Sequence, residues 1–101
     1  TYIDDITSSI LKILKKPSKK KVPHEIFNIG SNQPKKLYFF VKTIEQSLGL
    51  KSKKIRMPFQ KGDVHATHAD ITKLAKFINF YPRIKLKDGI NYFIGWFKQY
   101  K

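Results

Sequence analysis

Four stretches of apolar residues at helical spacing, punctuated by proline and glycine, most constrain what this chain can fold into. In residues 1–16, Ile3, Ile6, Ile10, Ile13 and Leu14 define one apolar face, and Pro17 stops the helix. Asp4 or Asp5 is expected to cap its start, with Lys15 and Lys16 at the negative C-terminal end. In Leu37–Leu48, Leu37, Phe40, Val41, Ile44 and Leu48 fall on one face, and Gly49 follows as a C-cap. Residues 71–78 read as a short helix with Leu74, Phe77 and Ile78 inward, broken by Phe80, Tyr81 and Pro82. Leu86–Tyr100 is the last helix, with Ile90, Phe93, Ile94, Phe97 and Tyr100 on its apolar face and Trp96 alongside.

Between the helices lie short segments with strand character. Residues 26–29, IFNI, read as a buried strand ending at Gly30, with Ser31 or Asn32 as the next N-cap. Residues 54–57 are a second candidate, and the alternation from Val64 to Ala69 is a third. The expected fold is therefore α/β, with about four helices packed on two or three short strands. No internal repeat or second domain is evident, and 101 residues suit one small domain over residues 1–101.

Composition narrows the function classes. There is no cysteine, hence no disulfide framework and no thiolate metal site. No apolar run is long enough to cross a bilayer, so no membrane partner is expected, and the first residues do not read as a signal peptide. The first residue is Thr1 rather than Met, so the sequence reads as processed or excised from something longer. The net charge of +14, from 21 basic against 7 acidic residues, points toward polyanions. Arginine, however, occurs only at Arg56 and Arg83. Scattered lysine lacks the bidentate geometry that reads bases, so the expectation is weak, salt-sensitive, non-specific nucleic-acid binding. The lysine-rich loop of residues 15–22 reads as a solvated connector, with a nuclear signal or nucleic-acid contact as the alternative.

The candidate site lies in residues 57–70, MPFQKGDVHATHAD. Pro58 breaks any earlier element, and Gly62 permits a tight backbone approach. Asp63 is a carboxylate that can accept from two ribose hydroxyls. Gln60 and Lys61 are donors that can reach a diphosphate. Asp70 is placed as a helix N-cap before Ile71. The candidate substrate-binding set is Gln60, Lys61, Gly62 and Asp63. His65 and His68, with Asp63 and Asp70, are spaced to suggest a metal site. On an alternating strand the two imidazoles point to opposite faces, so no metal site is expected.

Pro58, Gln60, Gly62, Asp63, Val64, Thr67, Ala69 and Asp70 carry a resemblance. The stretch is similar to a loop of the extended short-chain dehydrogenase/reductase nucleotide-sugar epimerases. The nearest pattern is that of the UDP-glucuronate 4-epimerase and capsular-polysaccharide branch. It reads Pro-Met-Gln-Pro-Gly-Asp-Val, two variable residues, Thr, one variable residue, Ala-Asp. The string from Tyr2 to Ile6, the segment FNIGSNQP and the final Gly89 with Trp96 and Phe97 resemble the same family. The resemblance spans Thr1 to Lys101 and about the last third of a family member.

The resemblance implies the C-terminal nucleotide-sugar-binding part of an NAD-dependent epimerase, and a cytoplasmic location. It implies UDP or a UDP-sugar as a weak ligand. It also implies an apolar face left exposed for self-association or for a separate Rossmann chain. In the wider family an arginine contacts the diphosphate where this chain has Gln60, so Lys61 is the substitute cation. The family's chemistry needs a glycine-rich phosphate turn for NAD and a Tyr-x-x-x-Lys pair. Neither is present in its expected place, so no catalytic residue and no cofactor are assigned to this chain. Tyr38 and Lys42 match the bare spacing but lie on the second helix, in the wrong part of the family order.

Overall fold

The computed structural model describes residues 1–100 and contains four α-helices: α1 (Ile3–Leu14), α2 (Leu37–Leu48), α3 (Thr72–Ile78) and α4 (Leu86–Tyr100). There is no strand among the described residues, which corrects the α/β expectation: the fold is helical. All three candidate strands are irregular backbone. A strand is defined by a hydrogen-bonded neighbour and not by sequence pattern alone. In residues 26–29 the Ile26 carbonyl accepts from the Lys73 side chain at 2.8 Å instead of from a neighbouring strand. Residues 51–68 are exposed throughout, so no apolar face fixes a register there.

The chain divides into two compact units. The first comprises residues 1–33 and 68–85, and the second, among the described residues, 34–67 and 86–100.

In the first unit α1 packs on α3. The core is supplied by α3 and the residue before it: Ile71, Leu74, Ala75 and Ile78 are buried, Leu74 completely. Full burial of such a side chain contributes about 1.5–3 kcal/mol. The buried positions of α1 are polar, Asp5 and Ser9. Ser9 satisfies its hydroxyl by donating to the Asp5 carbonyl at 2.8 Å. Ile3, Ile10, Leu11 and Leu14 are exposed. Tyr2 is the α1 N-cap and makes no side-chain cap bond. The expected cap Asp5 instead turns inward, because its carboxylate accepts the backbone N–H groups of Arg83 and Ile84 at 3.1 and 3.0 Å.

The lysine-rich loop is held at its far end. The Glu25 carboxylate pairs with Lys20 at 2.8 Å and with Lys73 of α3 at 3.0 Å. Hydrogen bonds from Lys20 and then Lys73 hold its pKa down at about 2. Lys73 also lies over the Phe27 ring, and Phe27 packs on Phe77 with centroids 4.8 Å apart. Gly30 is buried, and a Cβ there would meet the Ala69 Cβ at 2.8 Å.

In the second unit α2 packs on α4. Thr43, Gly89, Ile90 and Ile94 are buried there. Gly49 ends α2 with φ 71°, the left-handed conformation a C-cap glycine supplies, and its N–H bonds the Glu45 carbonyl. The α2 N-cap is Lys36, so neither Ser31 nor Asn32 fills that role. Much of the apolar face expected for α2 and α4 is uncovered: Leu37, Phe40, Phe93, Phe97 and Tyr100 are exposed.

Candidate functional site

Residues 60–63 form a tight turn in the second unit. The Asp63 N–H donates to the Gln60 carbonyl at 3.2 Å. Gly62 has φ 96°, the conformation that a type II turn needs at its third residue and that glycine adopts without strain. A Cβ placed on Gly62 would have no atom within 4 Å, so the turn stands clear of its surroundings. Gln60, Lys61, Gly62 and Asp63 are all exposed. The four predicted site residues therefore lie together on one reversal, with an acceptor and two donors open to a ligand.

Phe59 and His65 flank the turn. Their rings stack with centroids 4.2 Å apart and planes 13° from parallel. Sequence reasoning considered His65 only as a metal ligand and missed this pair. The available signal was two ring-bearing residues placed either side of a glycine-containing reversal.

The other polar groups of residues 57–70 have separate roles in the first unit. His68 Nε2 is 2.7 Å from Asn32 Oδ1. Asn32 itself sits at φ 52°, a left-handed conformation that asparagine tolerates better than most residues. Asp70 accepts the Thr72 N–H at 2.9 Å, and hydrogen bonding with the Thr72 side chain, followed by that with its backbone, lowers the Asp70 carboxyl pKa. The α3 N-cap is Ile71, so Asp70 satisfies the start of α3 from one position further out than expected. The strand argument placing His65 and His68 on opposite faces does not apply, because residues 64–69 are not a strand. Among the described residues no three His, Asp or Glu side chains gather as metal ligands.

Gly30 does not stand in a glycine-rich phosphate turn. The space a side chain would take at Gly30 is filled by Ala69, and no second glycine lies within five residues of it. Tyr38 and Lys42 are exposed on α2. A hollow in the second unit is lined by Thr43, Gln46, Ser47, Lys87 and Asn91, and no residue of the 60–63 turn contributes to it. Its Ser47 hydroxyl donates to Asn91 Oδ1 at 2.6 Å. Among the described residues no helix is long and apolar enough to cross a membrane.

No protein-family model matches the chain. Among curated proteins it is 39% identical over its full length to an uncharacterized protein of Methanocaldococcus jannaschii, covering 30% of that protein. It is 35% identical to protein CapI of Staphylococcus aureus, over 99% of this chain and 34% of CapI. It is 33% identical to a UDP-glucuronate 4-epimerase of Thermodesulfobacterium geofontis, over 98% of this chain and 29% of the enzyme. The chain thus spans about a third of the length of the curated relatives it matches.

Proposed function

We propose that this chain is part of a UDP-glucuronate 4-epimerase-like protein, that it contributes UDP-sugar binding through its 60–63 turn, and that it has no turnover of its own; its similarity to about a third of the length of CapI and of a UDP-glucuronate 4-epimerase supports the reading. The observation that carries the reading is the turn itself. It brings Gln60, Lys61 and Asp63 onto one open reversal shaped by Gly62 at φ 96°. Asp63 accepts from the ribose hydroxyls, and Lys61 and Gln60 donate to the diphosphate. Because the turn is exposed and few further contacts are available, affinity is weak. A dissociation constant around a millimolar, about −4 kcal/mol, is the expected order.

Absence of turnover follows from what the sequence lacks. Hydride transfer at the sugar needs a bound nicotinamide and a base beside it, and the chain offers neither a glycine-rich phosphate turn nor a Tyr-x-x-x-Lys pair in a cofactor fold. In this reading the exposed apolar residues of α1, α2 and α4 are covered by the remaining two thirds of such an epimerase, or by a second copy of this chain.

The test is an NMR titration of the chain with UDP, with ATP as a control for charge attraction. The expected result is shifts confined to residues 60–64, stronger for UDP, and abolished by Asp63→Ala. Equal, diffuse shifts at the lysines with both nucleotides would mean that only the positive field binds. Incubation with NAD and UDP-glucuronate is expected to yield no epimer above a blank.

A further inference from the structure

We propose that the Phe59–His65 ring stack holds the 60–63 turn in its ligand-binding conformation, making His65 a positioning residue for the nucleoside diphosphate. The inference rests on the reading that residues 60–63 bind UDP.

The turn has little else to order it. A Cβ at Gly62 meets nothing within 4 Å, so no neighbouring element packs there. Across the turn the chain is closed by one backbone bond, from the Asp63 N–H to the Gln60 carbonyl at 3.2 Å. Residues 51–68 are exposed, so the flanks have no core to anchor them. Against that background the parallel stack of Phe59 on His65, at 4.2 Å and 13°, is the contact that joins the two flanks. Stacked rings add attraction beyond simple area burial.

The chain also lacks a rigid residue inside the turn. Lys61 occupies the second position, where the epimerase pattern has proline. Proline there presets φ, whereas lysine leaves the turn more conformations to lose on binding. A clamp on the flanks offsets that loss by narrowing the free loop before the ligand arrives. The pattern has methionine where this chain has Phe59 and an unspecified residue where it has His65. The clamp thus belongs to this sequence and is not part of the motif that identifies the loop.

The experiment is a UDP titration of the full chain at neutral pH, read by NMR, on wild type, His65→Ala, Phe59→Ala, His65→Phe and Asp63→Ala. Unchanged α4 resonances certify each fold. His65→Ala and Phe59→Ala are expected to weaken UDP about two- to tenfold, the size of one or two side chains ordered on binding. His65→Phe keeps a ring to stack and is expected to restore affinity to within about twofold. Backbone order at residues 60–63 should fall in His65→Ala and recover in His65→Phe. Wild-type affinity in His65→Ala, with Asp63→Ala still abolishing binding, would overturn the positioning role and leave the binding reading intact. An equal loss in His65→Phe and His65→Ala would overturn the stacking argument. No localised UDP shifts in wild type, or an Asp63→Ala variant that binds normally, would overturn the binding reading and this proposal with it.

Discussion

The carboxylate of Asp5, in the first turn of α1, accepts the backbone N–H of Ile84 at 3.0 Å across 79 residues of sequence. Its second oxygen dependence is equally remote: Oδ1 takes the N–H of Arg83 at 3.1 Å. One buried acidic side chain thereby satisfies two adjacent donors in the segment between α3 and α4.

Asp5→Ala should therefore destabilise the first unit by about 2–4 kcal/mol, because two sheltered N–H groups lose their acceptor. Asp5→Asn keeps the shape and one acceptor oxygen, so it should cost less. Urea unfolding followed by circular dichroism measures both, and equal stability of Asp5→Ala and wild type would contradict the role.

Gly30→Ala should cost about 1–3 kcal/mol, since the new Cβ would sit 2.8 Å from the Ala69 Cβ and something must move. The clash is specific to one neighbour. Ala69→Gly in the same chain should recover most of the loss, and a double-mutant cycle in urea reads the coupling.

Glu25 and Glu45 give the chain an acid limit. Lys20 and Lys73 hold Glu25 at about 2, and Lys54 followed by Ser52 holds Glu45 at about 2, both from 4.5. A carboxyl pKa that is lower in the folded state stabilises the fold above the unfolded value. That contribution is lost as pH falls. Stability should be level above about pH 5 and decline between 4.5 and 2. Glu25→Gln and Glu45→Gln should each flatten that decline in thermal melts taken across the range. A profile unchanged in both variants would contradict the assignment.

The outward stripe of α1 predicts association. Ile10 is 44% exposed and Leu14 73% exposed, on a helix whose buried side is Asp5 and Ser9. Sedimentation should show self-association of the isolated chain, and Ile10→Lys with Leu14→Lys should reduce it. A strict monomer at high concentration, unaltered by these changes, would remove α1 from the covered surface.

The bounds of α2 and α4 were legible in sequence, and those of α1 to within two residues at each end, because helices are closed locally. Each N–H finds its carbonyl four residues back, and Pro17 and Gly49 mark stops that depend only on neighbouring residues. At Gly62 the sequence offered a close backbone approach but not the bounds of the 60–63 turn, which rest on the positive φ that glycine adopts there without strain. Tertiary structure decided everything that needs a distant partner. Residues 26–29 had the composition of a strand but no neighbouring backbone to pair with, and the Ile26 carbonyl went to Lys73. Asp5 had the placement of a cap but became the acceptor for residues 83 and 84. The stripe on α1 had the spacing of a core face, yet Ile3, Ile10 and Leu14 of it are exposed and Ile6 and Ile13 only half-buried, an outcome that periodicity does not carry. His65 likewise met Phe59 only once Gly62 had reversed the chain. Periodicity reports which residues share a face, while the identity of the surface opposite that face is a property of the folded chain.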